Sequence, residues 1–111
     1  MDITVILGAQ GCGKTTLAKK IFKDRMVYYI APNEDLKRVF NKGFDVVIFD
    51  EIWTTEQVKK ILNHPYADFV DLVFMSNSLW KEDFKQIHKW VNPVIVENQF
   101  SISIIELTRN N

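Results

Sequence analysis

Apolar residues along this chain fall into short dense runs, and between the runs they recur at every third or fourth position. Ile3-Thr4-Val5-Ile6-Leu7 is almost continuously apolar, as a strand buried on both faces must be. Leu17-Ala18-Lys19-Lys20-Ile21-Phe22 reads as a helix. Met26 to Ile30 reads as a second strand, broken by Ala31-Pro32-Asn33. Asn33 is then the expected cap of a short helix that carries Glu34 and Asp35 in its first turn, with Leu36, Val39 and Phe40 on one face, ended by Lys42-Gly43. Phe44 to Phe49 contains Val46-Val47-Ile48-Phe49, a third buried strand.

The second half repeats the alternation. Thr54-Thr55-Glu56-Gln57 has capping-box form, and Val58, Ile61 and Leu62 supply one apolar helix face before Asn63-His64-Pro65 stops it. His64 reads as a terminal residue near the helix dipole rather than a ligand. Asp71 to Met75 is a fourth strand. Ser78 is the expected cap of a helix over roughly 79–90, with Trp80, Phe84, Ile87 and Val91 at helical spacing; core packing is preferred for these aromatics over base stacking. Val94-Ile95-Val96 is a fifth strand and Glu97-Asn98-Gln99 a turn. Phe100 to Leu107 alternates as a half-exposed strand, expected to pair with residues 94–96 as an antiparallel hairpin at one edge, with a polar tail after it.

The connection between the first strand and the first helix carries the chemistry. Gly8-Ala9-Gln10-Gly11-Cys12-Gly13-Lys14-Thr15-Thr16 is glycine, four residues, then Gly-Lys-Thr, in strand–loop–helix context. Gly11 and Gly13 allow backbone conformations that let successive N–H groups face one concavity. The helix opening near Lys14 adds its unpaired N–H groups and the positive end of its dipole. Lys14 has the length to reach β- and γ-phosphates, Thr15 offers a hydroxyl to Mg²⁺, and Thr16 reaches an α-phosphate oxygen. The competing reading, a chance glycine turn, is opposed by pattern, flanks and position together. Cys12 reads as a small loop residue in preference to a reactive thiol.

Two further strand ends matter. The third strand runs straight into Asp50-Glu51. Ligands of parallel sheets bind outside the C-terminal strand ends, where the glycine loop also lies. Asp50 is expected to hold Mg²⁺, directly or through a water, and Glu51 to polarise a water for attack on the γ-phosphate. A solvated acidic turn is the rival account. Asn77 follows the fourth strand and is expected to hydrogen-bond the γ-phosphate or orient that water; its rival role is helix capping, which Ser78 is expected to fill.

Composition narrows the picture. The chain has 111 residues, enough for one core and therefore one domain over 1–111. Lys plus Arg and Asp plus Glu both total 14, which argues against a globally basic nucleic-acid binder. Lys81, Lys85 and Lys89 read as a solvated face in preference to a phosphate-contacting one. A single cysteine permits no internal disulfide and points to a cytoplasmic setting. No run approaches the roughly 20 apolar residues of a membrane helix, and the onset of core at Ile3 leaves no room for a signal peptide.

The glycine loop, the Asp50-Glu51 strand and the Asn77 strand together resemble the P-loop NTPases, over roughly residues 2–107. Within these, the extra strand Met26–Ile30 and the glutamate look like the additional-strand division that includes AAA-, RecA- and FtsK/HerA-type ATPases. Met75-Ser76-Asn77 also looks like the sensor motif of superfamily 3 viral helicases. The resemblance implies an α/β three-layer sandwich with a mainly parallel sheet of order 5-1-4-3-2, which gathers Lys14, Asp50, Glu51 and Asn77 around one nucleotide. It implies Mg²⁺-dependent ATP hydrolysis coupled to nucleic-acid work such as viral or phage DNA packaging or replication. It also implies an oligomer, or a partner subunit that supplies an arginine. Arg25, Arg38 and Arg109 are the only arginines, and none sits in a motif that matches such a finger. A nucleotide or small-molecule kinase and a nucleotide-dependent assembly or loader module are the rival functions.

Overall fold

The structure, a computed structural model, describes residues 1–31, 34–50, 54–91 and 100–108. Asn33, Glu51, Arg109 and the expected strand over 94–96 lie outside these.

Five strands form one sheet: β1 (Asp2–Leu7), β2 (Val27–Tyr29), β3 (Val46–Phe49), β4 (Asp71–Ser76) and β5 (Ser101–Glu106). Their order is β2-β3-β4-β1-β5, and every neighbouring pair runs parallel. The inner strands explain the dense apolar runs. All four residues of β3 are buried, and in β4 everything after Asp71 is buried. Both faces must therefore be covered.

Alternation along the strands divides the core in two. On one face Ile3, Val5 and Leu7 of β1 join Val47 and Phe49 of β3 and Leu72 and Phe74 of β4. The rings of Phe49 and Phe74, opposed in register, lie 5.0 Å apart between centroids. This face is covered by α2 (Leu36–Phe40), α3 (Thr55–Leu62) and the segment ending in Ile87 and Val91. On the other face Ile6, Val46, Ile48, Val73 and Met75 pack with Ala18 of α1 (Lys14–Ile21), with Leu17 and Phe22 beside it. Helices on both faces of a parallel sheet make the expected three-layer sandwich.

The helix ends follow local chemistry. Thr54 caps α3 through the Gln57 N–H (3.2 Å), and the Gln57 side chain accepts from the Thr54 N–H (2.8 Å), completing the capping box. The expected cap of α2 shifts: Asp35 takes that place, accepting from the Lys37 N–H at 3.1 Å. Glu34 instead accepts from the Tyr28 hydroxyl and the Ala31 N–H, so it ties the chain back to β2 before the helix begins.

Two expectations are corrected. The segment over 79–90 is not one helix. A 3₁₀ turn at Ser78–Trp80 precedes α4 (Lys81–Phe84), and a second 3₁₀ turn follows at Ile87–Lys89. Three residues per turn rather than 3.6 put Trp80 out of phase with Phe84. Phe84, Ile87 and Val91 are buried as expected, whereas Trp80 is 48% exposed and Leu79 87%. The alternating segment after Phe100 also differs in its place, taking the position beside β1 expected for residues 94–96; its expected pairing with those residues lies outside the described part of the chain. It lies beside β1, parallel to it, with Val5 opposite Ile104 and Leu7 opposite Glu106. A period of two marks a strand with one buried face and carries no information on direction.

Candidate functional site

Because all five strands are parallel, Leu7, Tyr29, Phe49, Ser76 and Glu106 all end at one edge of the sheet. The glycine loop leaves β1 at this edge. Gly8 opens it, donating its N–H to the Ser76 carbonyl at 3.0 Å. A Cβ at Gly8 would lie 2.3 Å from Cys12 Sγ and 3.3 Å from the Leu107 carbonyl oxygen, so any other residue there would have to displace the Cys12 side chain. The loop then folds back on itself, with the Cys12 N–H donating to the Ala9 carbonyl at 3.2 Å. Gly11 and Gly13 sit at φ 80° and 97°, in the left-handed region where a side chain is strained.

Gly13 is also the cap of α1, and no side chain bonds the first turn from that position. The opening N–H groups of a helix have no acceptor within it, so a helix that starts this way presents donors to whatever occupies the loop. Lys14 is buried, 6% exposed, and its Nζ donates to the carbonyls of Gly8 (2.7 Å) and Ala9 (3.2 Å). The ammonium therefore sits inside the loop rather than extending into solvent.

Gln10, Gly11, Gly13, Lys14, Thr15, Thr16 and Asp50 line one cleft of about 340 Å³. Thr15, Thr16 and Asp50 are exposed in it. The two residues expected at a metal thus share the cleft with the phosphate loop. Their oxygen donors suit a small hard cation, which takes one or two carboxylate or hydroxyl ligands and completes its shell with water and phosphate. Glu51 lies outside the described residues.

Asn77 follows β4 at the same edge but does not line this cleft. The expected division of labour with Ser78 is corrected. Asn77 itself is the cap of the 3₁₀ turn, with its Oδ1 accepting from the Leu79 N–H at 3.0 Å. The signal was present in the residue type, since asparagine is as good a cap as serine. With Oδ1 so engaged, the amide NH₂ is the part of the side chain chemically suited to donate to an anion or a water.

The remaining candidates separate. Arg25 is bound at the opposite end of the sheet, its Nη2 2.7 Å from Asp71 Oδ2 and its Nε 3.8 Å from Asp45 Oδ2. These carboxylates, the Asp71 hydrogen bond first, raise the guanidinium further above its ordinary value. Arg38 lines a separate cleft with Glu34, Asp35 and Lys42. Lys81 and Lys85 pair with Glu106 (2.7 Å) and Glu82 (3.0 Å), in keeping with a solvated face. His64 Nδ1 accepts from the Tyr66 N–H at 3.2 Å, and burial lowers its pKa. This matches the structural reading of that residue.

A parallel sheet in this order, with a glycine loop and a buried lysine at one strand end and a carboxylate at another, defines a domain of P-loop NTPase type. The chain matches the family model described as an AAA domain over residues 1–91, and it belongs to that family. Nucleoside triphosphate binding and hydrolysis is the general activity of such domains. A comparison with curated proteins gives no match. No helix among the described residues is long and apolar enough to cross a membrane.

Proposed function

We propose that residues 1–111 act as one Mg²⁺-dependent ATPase unit of the catalytic-glutamate division, working on nucleic acid in a packaging or replication setting. The observation that carries this reading is the shared cleft, which Gly11, Gly13, Lys14, Thr15 and Asp50 line together. Loop N–H groups and Lys14 bind the triphosphate and take up negative charge that grows on its oxygens during transfer. Thr15 and Asp50 hold Mg²⁺, which neutralises phosphate charge when bound. Glu51, the residue after Asp50, accepts the proton of the attacking water. Asn77 donates its amide to the γ-phosphate or to that water.

A local group of lysines supports nucleic acid as the work partner. Lys19, Lys20 and Lys23 are exposed on and just beyond α1, while Lys81 and Lys85 are taken up by ion pairs. A further subunit is proposed to complete the site with an arginine, since Arg25 is held at the far end of the sheet.

The test is turnover of Glu51→Gln. ATP affinity stays within about twofold, while hydrolysis falls by roughly 10²–10⁴, the usual contribution of a general base. Wild-type turnover in this variant would remove Glu51 from the mechanism. Phosphate found on an added nucleoside or nucleotide rather than in water would make the protein a kinase.

A further inference from the structure

Three strand tips meet around the phosphate loop, and they are joined into a closed circuit. Gly8 donates to Ser76, which links β1 to β4 at 3.0 Å. Leu107 donates to the Leu7 carbonyl at 2.7 Å, which links the end of β5 to β1 one residue before the loop. The third link is a side-chain pair: Lys81 Nζ lies 2.7 Å from Glu106 Oε2. Lys81 is the residue that ends the 3₁₀ turn begun by Asn77, and Glu106 stands in register with Leu7.

The turn between these anchors is short and internally bonded. Asn77 accepts at its side chain from the Leu79 N–H and at its carbonyl from the Trp80 N–H, both at 3.0 Å. Its amide therefore moves with the turn as one unit. At one end the turn is continuous with β4. At the other it runs into α4, whose Phe84 is buried in the core, and Lys81 ties it to the tip of β5 through Glu106. Between the two ends Leu79 is exposed and Trp80 is only half-buried.

We infer that the Lys81–Glu106 ion pair is a positioning device for Asn77, fastening the turn that carries this amide to the tip of β5 and through it to the phosphate loop. Lys81 and Glu106 are positioning residues, not catalytic ones, and the inference rests on the reading that Asn77 acts on the γ-phosphate or its water. Glu106 also raises the proton affinity of Lys81, as a direct carboxylate–ammonium contact does. Lys81 is 43% and Glu106 33% exposed, so the link is screened by salt.

The experiment compares Asn77→Ala, Lys81→Met, Glu106→Gln and the charge-reversed double variant Lys81→Glu/Glu106→Lys. It reads kcat and KM for ATP, equilibrium nucleotide affinity, and amide hydrogen exchange. Each single variant of the pair lowers kcat by about two- to fivefold, the scale of a partly exposed ion pair, with nucleotide affinity unchanged. Exchange rises over residues 77–81 and not over 14–21, a readout that does not depend on turnover. The double variant restores most of both. Loss of thermal stability with unchanged kcat and exchange would make the pair merely structural and overturn the inference. Failure of the reversed pair to restore either readout would do the same. An unaffected kcat in Asn77→Ala is a separate result: it removes the role assigned to Asn77, and the positioning role falls with it.

Discussion

Both ends of the sheet are tied together by internal bonds, but only one of them also carries the glycine-loop cleft. At the end where the strands begin, charged groups and main-chain donors find partners within the protein. Arg25 binds Asp71, the Asp2 N–H donates to the same carboxylate at 2.8 Å, and the Met26 N–H donates to Asp45 at 3.1 Å. At the end where the strands finish, glycines, hydroxyls and a carboxylate line an open cleft around a buried ammonium. The first arrangement stitches strands together. The second gathers the residues of the cleft proposed above to take a nucleotide. Substitutions at the two ends should therefore fail in different assays.

The largest contrast is expected from Lys14→Ala. Nucleotide affinity falls by at least about 10²-fold, the scale of losing one well-placed cation at a phosphate. The thermal midpoint changes by only a few degrees, because losing the hydrogen bonds to the Gly8 and Ala9 carbonyls is offset by losing the ammonium's desolvation cost. Calorimetric titration with ATP beside a melting curve reads both. A large drop in stability with affinity intact would reverse the contrast between the ends.

A smaller effect of the opposite kind is expected from Asp71→Asn. It removes the Arg25 ion pair and weakens the acceptor of the Asp2 N–H, costing about 1 kcal/mol in denaturant unfolding, with nucleotide binding unchanged. Coupling of this site to ATP affinity would show that the two ends are not independent.

The smallest effect belongs to neither end. Burial holds the His64 imidazole below its ordinary value; Lys37 acts in the same direction and Asp35 opposes it. The lone pair that accepts from the Tyr66 N–H is also lost on protonation. The folded protein thus binds this proton less readily than the unfolded chain. Stability is full above the ordinary histidine range, near about pH 6.5, and declines as pH falls through it. His64→Gln should flatten that part of the pH–stability curve. An unchanged slope between pH 7 and 5 would assign the acid sensitivity to other groups.

Much of this was legible in the residues. Runs such as Val46–Phe49 announced strands buried on both faces, and Gly8 to Thr16 announced the loop and its helix. The cap at Thr54 followed from Gln57 three residues later. Three things were not legible. A period of two in Phe100–Leu107 could not say that this strand would lie parallel to β1. Helical spacing from Trp80 to Val91 could not reveal two 3₁₀ turns, because Phe84, Ile87 and Val91 fit either winding and only the exposure of Trp80 separates the two. Ser78 and Asn77 were both competent caps, and the choice between them depended on where the backbone left β4.

Local order along the chain was enough to mark the five described strands and the phosphate loop, because periodicity, glycine placement and capping act over a few residues. Which tips meet is another matter. The bonds from Gly8 to Ser76, Leu107 to Leu7 and Lys81 to Glu106 join residues 25 to 100 positions apart, as do the Arg25–Asp71 contact at the far end and the Asp50 wall of the cleft. Such pairings depend on strand order and direction, which arise when the whole sheet closes over both of its cores and have no signature in any short stretch of residues.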